Sequence, residues 1–160
     1  MGVYPNKETN LKILFTCSSG GHLTELLQLK KIIIQNESYL LTETNQLHNN
    51  LFKKVFRVQQ INRKEKQFLL NFVKLFFKSR KIYKDINPEV IISTGALVTV
   101  PICIIAKLHH KKIIYIESFA RIYNPSLTGK IMYRVADEFI VQWPELLRYY
   151  PKAKYFGGIF

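Results

Sequence analysis

Apolar and polar positions alternate between two periods along this chain. Lys12 to Ser18 is an almost unbroken apolar run and predicts a buried strand. From His22 to Lys31 the apolar positions shift to Leu23, Leu26, Leu27 and Leu29, which predicts a helix. Tyr39 to Thr42 and Lys54 to Val58 are shorter strand candidates. Glu89 to Ser93 and Lys112 to Ile116 are β-branched and almost uniformly apolar, the pattern of parallel strands covered on both faces. Between them Val98 to Leu108 predicts a helix with Pro101 in its first turn, where a missing N–H costs nothing. Leu127 to Ala136 predicts another helix, Glu138 to Val141 a last strand, and Pro144 to Tyr149 a short helix opened by proline. Strand and helix therefore alternate, without internal repeat, low-complexity tract or linker. Such alternation predicts right-handed βαβ crossovers in an α/β, Rossmann-like, doubly wound parallel sheet, one domain over residues 1–160. Ligands of such sheets gather beyond the carboxyl ends of the strands, so function is to be sought in the loops there.

A chain of 160 residues is long enough to bury a core without staples. Its two cysteines, Cys17 and Cys103, lie in apolar stretches, which fits reduced, buried thiols better than a disulfide framework or a metal site. Neither a metal nor a cofactor is expected. The longest uncharged apolar run, Ala96 to Ala106, is interrupted by Pro101 and falls short of the ~20 residues of a membrane span. The charge changes the picture more: 24 Lys and Arg against 11 Asp and Glu give +13, which implies an anionic partner. Nucleic acid, anionic lipid and sugar diphosphates all qualify.

Three loops carry candidate chemistry. The first, Ser18-Ser19-Gly20-Gly21-His22, joins strand to helix; its glycines let an anion approach the backbone, and the helix start offers unpaired N–H groups. His22 there can donate to a phosphate oxygen or take a proton from an attacking hydroxyl. The plainer alternative is a tight turn whose histidine only caps or packs. The loop is neither the dinucleotide fingerprint, which needs a third glycine, nor a Walker loop. Glu43, near the end of the second strand, sits where a ribose-binding acid would lie, which leaves a nucleotide-binding regulatory domain as an alternative. The second loop, Ser93-Thr94-Gly95-Ala96, repeats the strand, small residues, helix pattern. The third runs from Glu117 to Lys130. Glu117 is expected to face the cleft, with Arg121 free to pair with it or with phosphate, a structural Glu–Arg pair being the bland alternative.

Between Arg63 and Lys84 lie Arg63, Lys64, Lys66, Lys74, Lys78, Arg80, Lys81 and Lys84 against the single acid Glu65, a local charge of +7 and more than half of the whole. A narrow polar stripe (Lys64, Gln67, Asn71, Lys74, Lys78, Lys81 and Asp85) leaves a wide apolar arc that includes Phe68, Leu69, Phe72, Phe76 and Phe77. An apolar arc flanked by cations fits anionic lipid headgroups or a partner subunit better than water alone. Phenylalanines at helical spacing do not make the open stacking platform of a nucleic-acid binder, so none is expected.

In order along the chain, Ser-Ser-Gly-Gly-His, Ser-Thr-Gly, Ile-Glu-Ser-Phe-Ala-Arg, Ser-Leu-Thr-Gly-Lys and Val-Gln-Trp-Pro-Glu carry a resemblance that covers Ile13 to Phe160. The sequence resembles the PssD/EpsE-type exopolysaccharide and capsule proteins of the ALG-fourteen-like family and is similar, more distantly, to the N-terminal half of MurG. The resemblance implies the N-terminal domain of a GT-B glycosyltransferase, the half that holds a polyprenyl-diphosphate-linked acceptor at the membrane. A separate catalytic subunit would carry the nucleotide-sugar site. It also implies that Ser18, Ser19, Gly20, Gly21, His22, Ser93, Thr94, Gly95, Arg121, Ser126 and Thr128 hold the acceptor diphosphate, with His22 and Glu117 as the catalytic candidates. Eukaryotic members carry an N-terminal membrane helix that this sequence does not show. Recruitment to the cytoplasmic face of the membrane is then expected of the basic apolar helix, through Lys66, Phe68, Leu69, Phe72, Lys74, Phe76, Phe77, Lys78 and Lys81. The alternative is a scaffold that recruits the catalytic subunit without touching substrate.

Overall fold

The apolar runs become the strands of a single sheet in a computed structural model that describes residues 10–43 and 50–160. They are β1 (Lys12–Cys17), β2 (Glu37–Thr42), β3 (Lys54–Arg57), β4 (Val90–Gly95), β5 (Lys112–Ile116), β6 (Glu138–Val141) and β7 (Lys154–Tyr155). All pair in parallel in the order β3-β2-β1-β4-β5-β6-β7. The strand order reverses between β1 and β4, which places the ligand crevice of a doubly wound sheet at their carboxyl ends. Their register slips between Thr16 and Cys17, where β1 enters its loop.

Among the described residues five α-helices cover the sheet: α1 (Gly21–Leu27), α2 (Lys30–Ile34), α3 (Phe68–Ile86), α4 (Val100–Leu108) and α5 (Leu127–Val135). Successive side chains of a strand leave opposite faces, so β1 feeds two cores. Phe15 and Cys17 pack with Leu23, Leu26 and Ile33 under α1 and α2. Leu14 joins Leu75, Ile82, Ile102 and Met132 under α3, α4 and α5. Both cysteines are free and buried, and burial pushes the Cys17 thiol up to about 12.

Four elements differ from the pattern-based expectation. The helix expected over 22–31 is broken: Gln28 N–H closes on Glu25 O at 3.1 Å and Leu29 N–H on Leu26 O at 3.0 Å, a tightened turn after which α2 restarts. The break lets α2 bury Ile33, and the Ser38 hydroxyl then donates to Ile33 O at 2.8 Å. The long helix starts only at Phe68, because Asn62 makes a side-chain turn: its Oδ1 accepts from Lys64 N–H at 3.0 Å. Arg63, Lys64 and Lys66 therefore precede the helix. Pro144–Arg148 is a 3₁₀ turn. The two-residue β7 is too short to carry a period of its own. Pro101 does sit in the first turn of α4.

Candidate functional site

The loops after β1, β4 and β5 meet at the reversal point, and hydrogen bonds stitch the first two together. His22 Nδ1 donates to Thr94 O at 2.8 Å, the Thr94 hydroxyl donates back to His22 O at 2.7 Å, and Ser18 N–H donates to Gly95 O at 3.1 Å. A carbonyl only accepts, so Nδ1 carries a proton, and in the neutral ring Nε2 keeps its lone pair. Gly95 is the seat of the ring: at φ +103° it occupies a conformation that disfavours side chains, and a Cβ there would lie 3.1 Å from His22 Cε1.

Beside His22 opens a cavity of about 460 Å³ lined by Arg63, Ala96, Tyr115, Ser118, Ala120, Arg121, Ser126, Leu127 and Thr128. His22, Arg121, Ser126 and Thr128, all expected at the site, are thus brought together. Ser19, Gly20 and Gly21, also expected at the site, are exposed and Ser18 is half-buried, and the cavity lining does not include them. Ser93, Thr94 and Gly95 differ from expectation: they are buried, Thr94 and Gly95 are used in joining the loops, and the Ser93 hydroxyl accepts from Gly95 N–H within its own loop. They support the cavity from below and leave Ala96 to line it.

Glu117 also differs. It was expected to face the cleft; it is fully buried beneath it. Its carboxylate accepts from Ser118 N–H at 3.1 Å, from the Ser126 hydroxyl at 2.9 Å, and from the Tyr150 hydroxyl at 3.0 Å. Ser126 caps α5 at the same time, its Oγ accepting from Gly129 N–H at 2.7 Å. A buried carboxylate so surrounded is a keystone joining β5, α5 and the 3₁₀ turn after β6. Burial, and then the charge of Glu117, push the Tyr150 hydroxyl well up. The Glu117–Arg121 pair is not formed: neither Arg63 nor Arg121 has an ion pair or a side-chain hydrogen bond among the described residues.

Three residues escaped the sequence reading. Tyr115 looked like one more apolar strand position. Arg63 looked like one more cation of the basic helical segment. Glu25, one turn after His22, is a lone acid on an apolar helix side, a signal that was legible. It is buried, and Oε1 accepts from the Ser118 hydroxyl at 3.1 Å and Phe119 N–H at 2.9 Å, tying α1 to the third loop. Burial raises its pKa despite those bonds. Glu43, the ribose candidate, is half-buried, bonded to the Ile61 backbone, and also raised by burial. Among the described residues no group of three His, Cys, Asp or Glu is placed to hold a metal.

On α3, Leu69, Leu70, Val73 and Phe77 are exposed along one stripe, between Lys74, Arg80, Lys81 and Lys84. Phe72 and Phe76, expected on that surface, are half-buried against the core, and Phe68, half-buried too, stacks on Phe72 with ring centroids 5.8 Å apart. Lys78 is turned toward the neighbouring strand, donating to Arg57 O at 2.7 Å. Among the described residues no helix is long and apolar enough to cross a membrane.

This architecture is that of one half of a GT-B protein. MurG of Acinetobacter baumannii superposes with a TM-score of 0.66 at 18% identity over 83% of this chain and 42% of its own. A UDP-N-acetylglucosamine 2-epimerase matches with a TM-score of 0.66 at 11% identity, over 93% and 48%. The chain thus spans less than half the length of these proteins. The chain belongs to the family "Oligosaccharide biosynthesis protein Alg14 like", whose description matches residues 13–159. Human UDP-N-acetylglucosamine transferase subunit ALG14 is 29% identical over 189 residues, covering 99% of this chain and 87% of its own. The Saccharomyces cerevisiae subunit of the same name is 65% identical over a shorter stretch of 46 residues, 28% of this chain.

Proposed function

We propose that this chain is the acceptor-binding subunit of a two-component glycosyltransferase that moves a sugar from a nucleotide donor to a polyprenyl-diphosphate-linked saccharide in capsule or exopolysaccharide assembly. The observation that carries it is a parallel-sheet fold whose crevice holds a histidine beside arginines, with no carboxylate among the described residues that line it. Near-complete coverage by relatives named as transferase subunits supports it, and their names make UDP-N-acetylglucosamine the first donor to try. The acceptor hydroxyl attacks the anomeric carbon, a C–O bond forms there, and the bond to the donor diphosphate breaks with its electron pair leaving on phosphate oxygen. His22 Nε2 takes the hydroxyl proton, and Arg121 and Thr128 hold the acceptor diphosphate, the Ser126 hydroxyl being spent on Glu117. A separate subunit supplies the donor site. Membranes containing this chain and the protein encoded beside it should transfer sugar to the lipid acceptor, and either protein alone should give little or none. Robust turnover by the isolated chain would sink the reading.

The chain works at the cytoplasmic face of the cell membrane, held by the exposed stripe of α3. Each cation near an anionic surface is worth roughly 1 kcal/mol, so Lys74→Gln with Lys81→Gln should weaken binding to anionic phospholipid vesicles about thirtyfold. Sedimentation with anionic and with zwitterionic vesicles measures this. Unchanged binding would remove α3 from the membrane.

A further inference from the structure

We infer that Arg63 is a ligand of the acceptor's diphosphate, closing on it opposite Arg121, so that the cavity selects two linked phosphates over one. The inference rests on the acceptor-site reading above and adds a residue that no loop motif contains. Arg63 comes from the segment between β3 and α3, Arg121 from the loop after β5, and both line the same cavity. Neither guanidinium has an ion pair or hydrogen bond among the described residues. Two exposed cations on the lining of one cavity favour an anion there.

The neighbouring acids do not supply that anion. Glu117 lies under the floor, engaged by Ser126 and Tyr150, and Glu25 is buried against Ser118 and Phe119. A guanidinium recognises phosphate through paired N–H donors, and two of them on one cavity can each take one phosphate of a diphosphate. The backbone that presents Arg63 is fixed by the Asn62 turn, with Glu65 N–H donating to Asn62 O at 3.1 Å as well. Five residues beyond it α3 begins, with its exposed apolar stripe. A phosphate held by Arg63 therefore lies on the side of the cleft from which a polyprenyl chain would run toward the membrane.

The test is calorimetric titration of inorganic pyrophosphate and of orthophosphate into the purified chain. The wild type should prefer pyrophosphate. Arg63→Gln should lose about tenfold in pyrophosphate affinity and most of the preference, while Arg134→Gln, a charge-matched change in the last turn of α5, should bind as the wild type does. If Arg121→Gln weakens pyrophosphate and Arg63→Gln does not, the inference falls and the acceptor-diphosphate reading stands. If the wild type binds neither anion, both fall. If Arg134→Gln acts as strongly as Arg63→Gln, the effect belongs to the net charge and the inference is overturned.

Discussion

Gly129→Ala lowers the melting temperature by roughly 6–12 °C, the equivalent of about 3 kcal/mol in a chain of this size. The added methyl would sit 1.8 Å from Glu117 Oε2 and 2.6 Å from the Tyr150 hydroxyl, and neither group has room to withdraw. Moving the carboxylate breaks its bonds to Ser126 and Tyr150 and strands a charge in the core, a far larger penalty than the helix propensity alanine gains. The same argument predicts a coupling: with Glu117→Ala already made, the 1.8 Å contact is gone and Gly129→Ala costs clearly less, the Tyr150 hydroxyl at 2.6 Å being the contact that remains. Thermal unfolding of the two single variants and the double variant measures this. A melting temperature unchanged by Gly129→Ala would mean that Glu117 does not hold the position described.

With His22 as the proton acceptor proposed above, His22→Ala should reduce sugar transfer by the two-subunit enzyme by about 10²–10⁴-fold and leave subunit assembly intact. His22→Asn separates the two jobs of the ring. Its amide can still donate to Thr94 O, replacing the Nδ1 bond, but it has no basic nitrogen to take a proton. His22→Asn should be as slow as His22→Ala under single-turnover conditions. Recovery of the wild-type rate by asparagine would make His22 an anchor of the loop and leave the attacking hydroxyl without a base in this chain.

What the sequence disclosed follows the strength of local pattern. β5 and β6 were readable to the residue because β-branched runs covered on both faces admit one reading, and Pro101 marked the start of α4. The break between α1 and α2 was not readable, because Leu23, Leu26, Leu27 and Leu29 keep a helical spacing across it; burial of Ile33 and the bond from Ser38 decide it. In the site, His22 and Arg121 were candidates from loop position, whereas Ser126 and Thr128 came only with the family resemblance; all four line the cavity. Glu117 misled because an acid after an apolar strand looks the same from sequence whether it turns up into the cleft or down onto Ser126 and Tyr150. The signals were the glycine at 129, which makes the space, and Tyr150, which reaches Glu117 from 33 residues away. Arg63 was hidden by its neighbours, whose basic character continues into α3 although the helix does not begin until Phe68.

The stitching of the first two loops through His22, Thr94, Ser18 and Gly95 has a thermodynamic consequence. Loops that wait for a ligand to order them subtract their lost conformational freedom from its affinity. Here the backbone on both sides of the crevice loses that freedom when the chain folds, before any ligand arrives. Affinity and alignment at this floor are therefore limited by the side chains that reach over it, while the floor itself behaves as a preorganised surface.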